Sequence, residues 1–191
     1  MPVEVAVEKK KLAKPPLDIH TLGDRVLRQS AKRVTKVDDE VRRLVREMLQ
    51  TMYSANGIGL AAPQVAVQKQ IIVIDTDPEN AANQPVVLIN PTIKQYGKQL
   101  SVFEEGCLSI PDVYLNVTRP AAIVVSYKDE YGRPHTLPTD GLLARVIQHE
   151  MDHLHGVLFV DRVENPLQLN QELTKHGFSV HDVRPVDPRS T

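Results

Sequence analysis

Residues 140–156 read DGLLARVIQHEMDHLHG, and the period of that stretch decides how the rest of the chain is organised. Leu142, Val146, His149 and His153 recur at i, i+4, i+7 and i+11, one face of an α-helix. Leu143, Ile147, Glu150 and Leu154 form the stripe beside it. The spacing predicts a helix over 140–155, stopped by Gly156. On that helix His149 and His153 lie one turn apart, so both imidazoles can reach a single metal ion. Glu150 falls about 60° round from His153, beside the ion rather than on the ligand face. A carboxylate placed there can take a proton from a water molecule. Chance gives this pattern roughly 0.015 times in a chain of this composition, too rarely to prefer incidental surface histidines. The largely apolar stripes around it predict burial in a cleft.

Working outward, Asn165-Pro166 supplies a cap residue and a proline at the first helical position, so a further helix starts there. Upstream, Val41, Leu44, Val45, Met48 and Met52 have helical spacing within 37–53. Asp38 or Asp39 caps that helix, and Asn56-Gly57 offers a left-handed stop. Between the helices lie short apolar runs at 71–74 and 86–89, and two more at 121–128 and 133–137 flanking the turn residues 129–132. This order predicts an α+β fold: antiparallel sheets around a central metal-binding helix, with one helix on the N-terminal and one on the C-terminal side. Residues 1–16 hold four lysines and end in Pro15-Pro16, and read as a flexible or extended lead-in. Residues 17–180 are expected to form one catalytic domain. The stretch 181–191, without periodicity, is expected to be a frayed tail.

Composition narrows the function classes. The chain has 191 residues, 41% hydrophobic and 25% charged, which suits one globular domain. A formal net charge of -1 leaves no cation excess to neutralise phosphates, which argues against a dedicated nucleic-acid reader. The longest uninterrupted apolar run is 121–125, too short to span a bilayer. A single cysteine excludes an internal disulfide framework and points to a reducing, cytoplasm-like compartment. The alternative is an organelle stroma, after removal of a transit peptide.

A catalytic metal usually takes three protein ligands. The residues themselves offer His155, Asp161, Glu164 and the lone Cys107 as the third. His155 faces away on the same helix. Glu164 would make the site similar to a zincin-like peptidase. Cys107, within Glu104-Glu105-Gly106-Cys107-Leu108-Ser109, sits beside a glycine and could be a ligand, a nucleophile paired with a histidine, or a small buried hydrophobe. The stretch Gly57-Ile58-Gly59-Leu60-Ala61-Ala62-Pro63-Gln64 permits close backbone approach, to packed neighbours or to a substrate.

Taken together and in this order, Gly57 to Gln64, Glu105 to Ser109 and His149 to His153 resemble the GxGLAAxQ, EGCLS and HExDH motifs of the peptide deformylase family, over roughly residues 17–163. The resemblance implies Cys107, His149 and His153 as metal ligands and Glu150 as the catalytic carboxylate. It implies that Gln64, through its side-chain amide, and Leu108, through its backbone N–H, bind the oxyanion. The implied metal is one divalent ion per chain, ferrous iron, with nickel, cobalt or zinc as substitutes. The implied reaction removes the formyl group from the N-terminal formylmethionine of nascent polypeptides and releases formate. Ile58, Phe103, Leu142 and Val146 would wall the methionine slot, and the peptide backbone would pair as an added strand near Ile58, Gly59 and Gly106. Tyr114 stands where many bacterial members have arginine, and resembles the plastid-type branch. Within 166–176 only Lys175 is a firm cation, so a basic ribosome-docking helix is not expected and ribosome contact would be transient.

Overall fold

In a computed structural model, residues 1–187 of the chain are described. Three helices, α1 (Asp39–Ser54), α2 (Gly141–Leu154) and α3 (Pro166–Lys175), accompany seven strands. The strands are β1 (Gly59–Ala61), β2 (Ile71–Ile74), β3 (Val86–Tyr96), β4 (Leu100–Cys107), β5 (Ile110–Pro120), β6 (Ala122–Lys128) and β7 (Pro134–Asp140). One sheet runs β1-β2-β3-β6-β7, with every pairing antiparallel. The second is the two-stranded hairpin β4-β5, also antiparallel. The expected α+β architecture is present, with α2 at its centre.

Local chemistry sets the helix ends. The Asp38 carboxylate accepts the Val41 N–H at 3.1 Å, and the Asn165 side chain accepts the Gln168 N–H at 3.1 Å. Asn56 (φ 57°) and Gly156 (φ 72°) supply the left-handed turns after α1 and α2.

Strand β2 explains why its run Ile71-Ile72-Val73-Ile74 is unbrokenly apolar: both faces are covered. Ile71 and Val73 pack with Val45, Met48, Leu49 and Met52 of α1. Ile72 and Ile74 pack with Ala144, Ile147, Met151 and Leu154 of α2. A strand sandwiched in this way loses the polar alternation of a half-exposed one. Fully burying each such side chain contributes about 1.5–3 kcal/mol, so the sandwich holds α2 firmly against the sheet. A third cluster joins Ile110, Val113, Leu115 and Val117 of β5 to Phe159 and to Leu169 and Leu173 of α3.

The leading segment runs extended along α1 and is pinned there. The Val3 N–H donates to Asp39, the Leu12 N–H to Ser54 Oγ, and Val5 is buried. At the other end, Arg184 N–H donates to the Asp161 carboxylate and Val186 N–H to the Asp161 carbonyl. Of the tail expected to fray over 181–191, residues 188–191 lie outside the described residues. Among the described residues no helix is long and apolar enough to cross a membrane.

Candidate metal centre

Three elements converge at one end of α2. The β4–β5 turn brings Cys107, α2 brings His149 and His153, and the tight turn after β1 brings Gln64. One ligand atom each from Cys107, His149 and His153 lies within 4.8 Å of the others. Cys107 Sγ is 3.4 Å from His153 Nε2. Thiolate and imidazole together suit a borderline or soft divalent cation. The remaining candidates are elsewhere: Asp161 is buried in an ion pair with Arg28 at 2.6 Å, while His155 and Glu164 are exposed.

Around the cluster, polar groups orient His149, while His153 Nδ1 is buried without a hydrogen-bond partner. His149 Nδ1 is 2.9 Å from Glu105 Oε1, leaving Nε2 to face the cluster. Arg119 grips Glu105 through Nε at 2.6 Å and Nη2 at 2.9 Å, and extends to Asp152 at 2.9 Å. Burial alone would raise the Glu105 carboxyl, but the hydrogen bonds from His149 and Arg119 prevail and hold it well below the usual carboxylate range. Burial, with the neighbouring His149 adding to it, holds the His153 imidazole well below its ordinary range. At His149 burial is overcome by hydrogen bonds to Cys107 and Glu105, which hold that imidazole well above the same range.

Glu150 behaves oppositely. Its Oε1 lies 3.9 Å from His149 Nε2, and its Oε2 is buried without a hydrogen-bond partner. Desolvation pushes its carboxyl up to about 7, close to the optimum for a proton carrier at neutral pH. Gly59 makes room for it: a Cβ there would come within 2.8 Å of both Glu150 Oε1 and Val146 Cγ1. Gly106 makes the corresponding room beside the ring of Tyr114, 2.5 Å from where its Cβ would stand.

Gln64 is almost fully buried and fixed at both ends of its amide. Oε1 accepts the Ala61 N–H at 2.9 Å, and Nε2 donates to Ser109 Oγ at 3.0 Å and towards Cys107 Sγ at 3.5 Å. Leu108 follows the cysteine in the hairpin turn and lines the adjoining cleft. That cleft, of about 480 Å³, also brings together Ile58, Gly59, Phe103, Gly106, Leu142 and Val146. Phe103 is 56% and Leu142 44% exposed, values that separate them from core residues. An orphaned buried carboxylate oxygen, a thiol beside two imidazoles and an apolar cleft mouth fit a bound divalent cation with a substrate beside it.

Sequence reasoning assigned no role to Glu105, Arg119, Arg145, Ser109 or Asp152. Glu105 and Ser109 lie inside a quoted motif, but only the three-dimensional register pairs Glu105 with arginines 14 and 40 residues away. Arg145 lies outside both apolar stripes of α2, on the flank shared with Gln148 and Asp152, so its burial carried no signal in the sequence.

Comparison with known proteins agrees with this geometry. A family model described as polypeptide deformylase matches residues 16–168. A peptide deformylase of Microchaete diplosiphon is 67% identical over 186 residues, covering 97% of this chain and all of that protein. The crystal structure of a peptide deformylase from Synechococcus elongatus, in complex with actinonin, superimposes with a TM-score of 0.95 at 66% identity, covering 96% of this chain and 100% of that one. A plant peptide deformylase structure gives 0.78 at 36% identity, covering 87% of this chain and 94% of the other. Matched over nearly all of its length by relatives of this kind, the chain belongs to the polypeptide deformylase family.

Proposed function

We propose that this deformylase removes the formyl group from N-terminal formylmethionine of nascent polypeptides with Cys107, His149 and His153 as metal ligands and Glu150 as proton carrier. The observation that carries the assignment is the three-donor cluster with the buried Glu150 carboxyl at its edge. A divalent cation held there supplies Lewis acidity, which makes a nucleophile available from water near neutral pH. Glu150 takes the proton that water gives up as it attacks the formyl carbon. Charge develops on the formyl oxygen, where the Gln64 amide and the Leu108 N–H can donate, each contributing about 3 kcal/mol by the usual scale of such donors. Glu150 then returns its proton to the departing nitrogen, leaving formate and a free amine. The burial that raises its affinity for a proton to near neutrality supports both halves of that role.

The methionine side chain enters the cleft between Phe103, Leu142 and Val146, and the peptide backbone adds as a strand between the segments at Ile58–Gly59 and Gly106. Main-chain pairing reads no side chains, so preference beyond the first residue is loose. Ferrous iron is the proposed native ion on the family resemblance, with nickel, cobalt and zinc as substitutes, since thiolate and imidazole suit zinc as well. The enzyme works in the cytoplasm, meeting its substrate as the chain leaves the ribosome, in contacts no longer than the reaction.

Formate release from a formylmethionyl tripeptide tests this reading. A strong chelator should abolish release, and ferrous iron or nickel should restore it. Full activity in demonstrably metal-free protein would sink the proposal. In air the iron form should lose activity faster than the nickel form, because iron and its thiolate are both oxidisable.

A further inference from the structure

Arg145 stands one turn before His149 on α2 and is only 7% exposed. A buried guanidinium is costly and persists only when surrounded by acceptors. Its Nη1 donates to Glu105 Oε2 at 2.6 Å and to the Val117 carbonyl at 3.0 Å. Its Nη2 donates to the Ser101 carbonyl and to Ser101 Oγ, both at 2.9 Å. The guanidinium carbon lies 5.7 Å from the centroid of the Phe103 ring. Every one of these partners belongs to β4 or β5.

The hairpin β4–β5 is a sheet of its own, with no ladder to the five-stranded sheet. Backbone bonds from Gly97 N–H to the Ala122 carbonyl at 2.8 Å and from Ala121 N–H to the Gln99 carbonyl at 2.9 Å fix the base of the hairpin against β3 and β6. Among the described residues, however, no ladder joins its Cys107 end to the five-stranded sheet. Yet the cluster depends on where that end stands, since Cys107 comes from the hairpin and both histidines from the helix. Arg119 also holds Glu105, but it lies on β5 and braces the hairpin from within before reaching α2 at Asp152. Arg145 starts from the helix and reaches the first half of β4, where Phe103 walls the cleft.

We propose that Arg145 is a positioning residue that clamps the β4–β5 hairpin to α2, setting both the approach of Cys107 to the histidine pair and the stance of Phe103 at the methionine cleft. The proposal rests on the metal-ligand assignment given above. A planar fork with five donors can serve four acceptors and a ring together, whereas lysine brings one compact charge that cannot span them.

The test uses cobalt(II)-loaded protein, in which a cysteine ligand gives a thiolate-to-metal absorption band, together with KM for a formylmethionyl tripeptide. In Arg145→Met the band should shift, cobalt should bind about tenfold more weakly and KM should rise by a similar factor. Arg145→Lys should keep the raised KM, because charge alone does not restore the fork. Ser101→Ala, which removes one acceptor and leaves the guanidinium in place, should raise KM by about twofold to threefold with cobalt affinity unchanged. A lower melting temperature with a wild-type band, cobalt affinity and KM would assign Arg145 a purely structural part and overturn the proposal. Should Arg145→Met fail to fold, wild-type values in both Arg145→Lys and Ser101→Ala would overturn it equally. If Cys107→Ser retained the wild-type band, the ligand assignment itself would fail, a result distinct from any outcome at Arg145.

Discussion

Glu150 and Glu105 are both buried, both close to His149, and pushed in opposite directions. Glu150 has burial without compensating donors and rises to about 7. Glu105 has two arginines and an imidazole on its oxygens and falls well below its ordinary range. Their environments separate the proposed proton carrier from a carboxylate that stays charged at neutral pH and orients His149. Glu150→Gln should therefore retain the metal while kcat falls by at least ~10²-fold, the usual scale for acid–base catalysis. Bound metal per chain and kcat decide the matter together: normal kcat with metal present would assign the proton to another group. For Glu105 the linkage has a definite sign. A carboxyl whose folded value is depressed contributes stability that is present above its ordinary 4.5 and lost as pH falls towards the folded value. Glu105→Gln removes that contribution, so its melting temperature should lie below wild type at neutral pH and converge on it below pH 4.5. A gap that stays constant down to about pH 3 would show that Glu105 is not the acid-sensitive group.

At the level of elements, the leading segment is held by a buried ion pair. Lys9 Nζ lies 2.7 Å from Asp75 Oδ2 and also donates to the Asn80 and Asn83 carbonyls. The Asp75 side chain is fully buried, accepts Tyr53 OH at 2.6 Å, and sits at the end of β2 whose backbone meets Ile58. Removing one partner of a buried pair strands the other, so Lys9→Met should destabilise the fold by about 3 kcal/mol. Urea unfolding measures it, and a change below about 0.5 kcal/mol, typical of surface sites, would mean that the segment is only loosely attached. Such a contact cannot be read from four lysines before a Pro-Pro pair, because its partner lies 66 positions away. The helices were legible for the opposite reason: α1 carries its period, cap and stop locally, and α2 its period and its Gly156 stop. The hairpin β4–β5 was read only near Cys107. In β4, Leu100, Val102 and Phe103 are exposed while the polar Glu105 is buried, so the usual alternation is inverted where the site needs charge inside. Strand β5 does alternate, Val113, Leu115 and Val117 being buried between exposed Tyr114 and Asn116, a signal that sequence reasoning passed over. The three-residue β1 is too short to show any period.

Across the whole molecule, the metal cluster joins two units that share no backbone ladder, the hairpin supplying the thiolate and α2 the imidazoles. A ligand bound only by the folded state stabilises that state by mass action. For this architecture the gain should be global: Cys107 is 42 residues from His149 in the chain, and unfolding either unit dissolves the site. Nickel at a hundred times its Kd should thus stabilise the fold by about 2.7 kcal/mol. For a chain of this length that corresponds to a rise in melting temperature of about 5–10 °C. Cys107→Ser should lose most of the rise while Glu150→Gln keeps it, if Cys107 is a ligand and Glu150 only a proton carrier as proposed. Scanning calorimetry of the three proteins with and without nickel makes the measurement. A metal-independent melting temperature in the wild type would mean that the folded state does not bind nickel in preference to the unfolded chain, and the three-donor site would fail as a metal centre. A rise that persisted in Cys107→Ser would move the binding site away from the hairpin altogether.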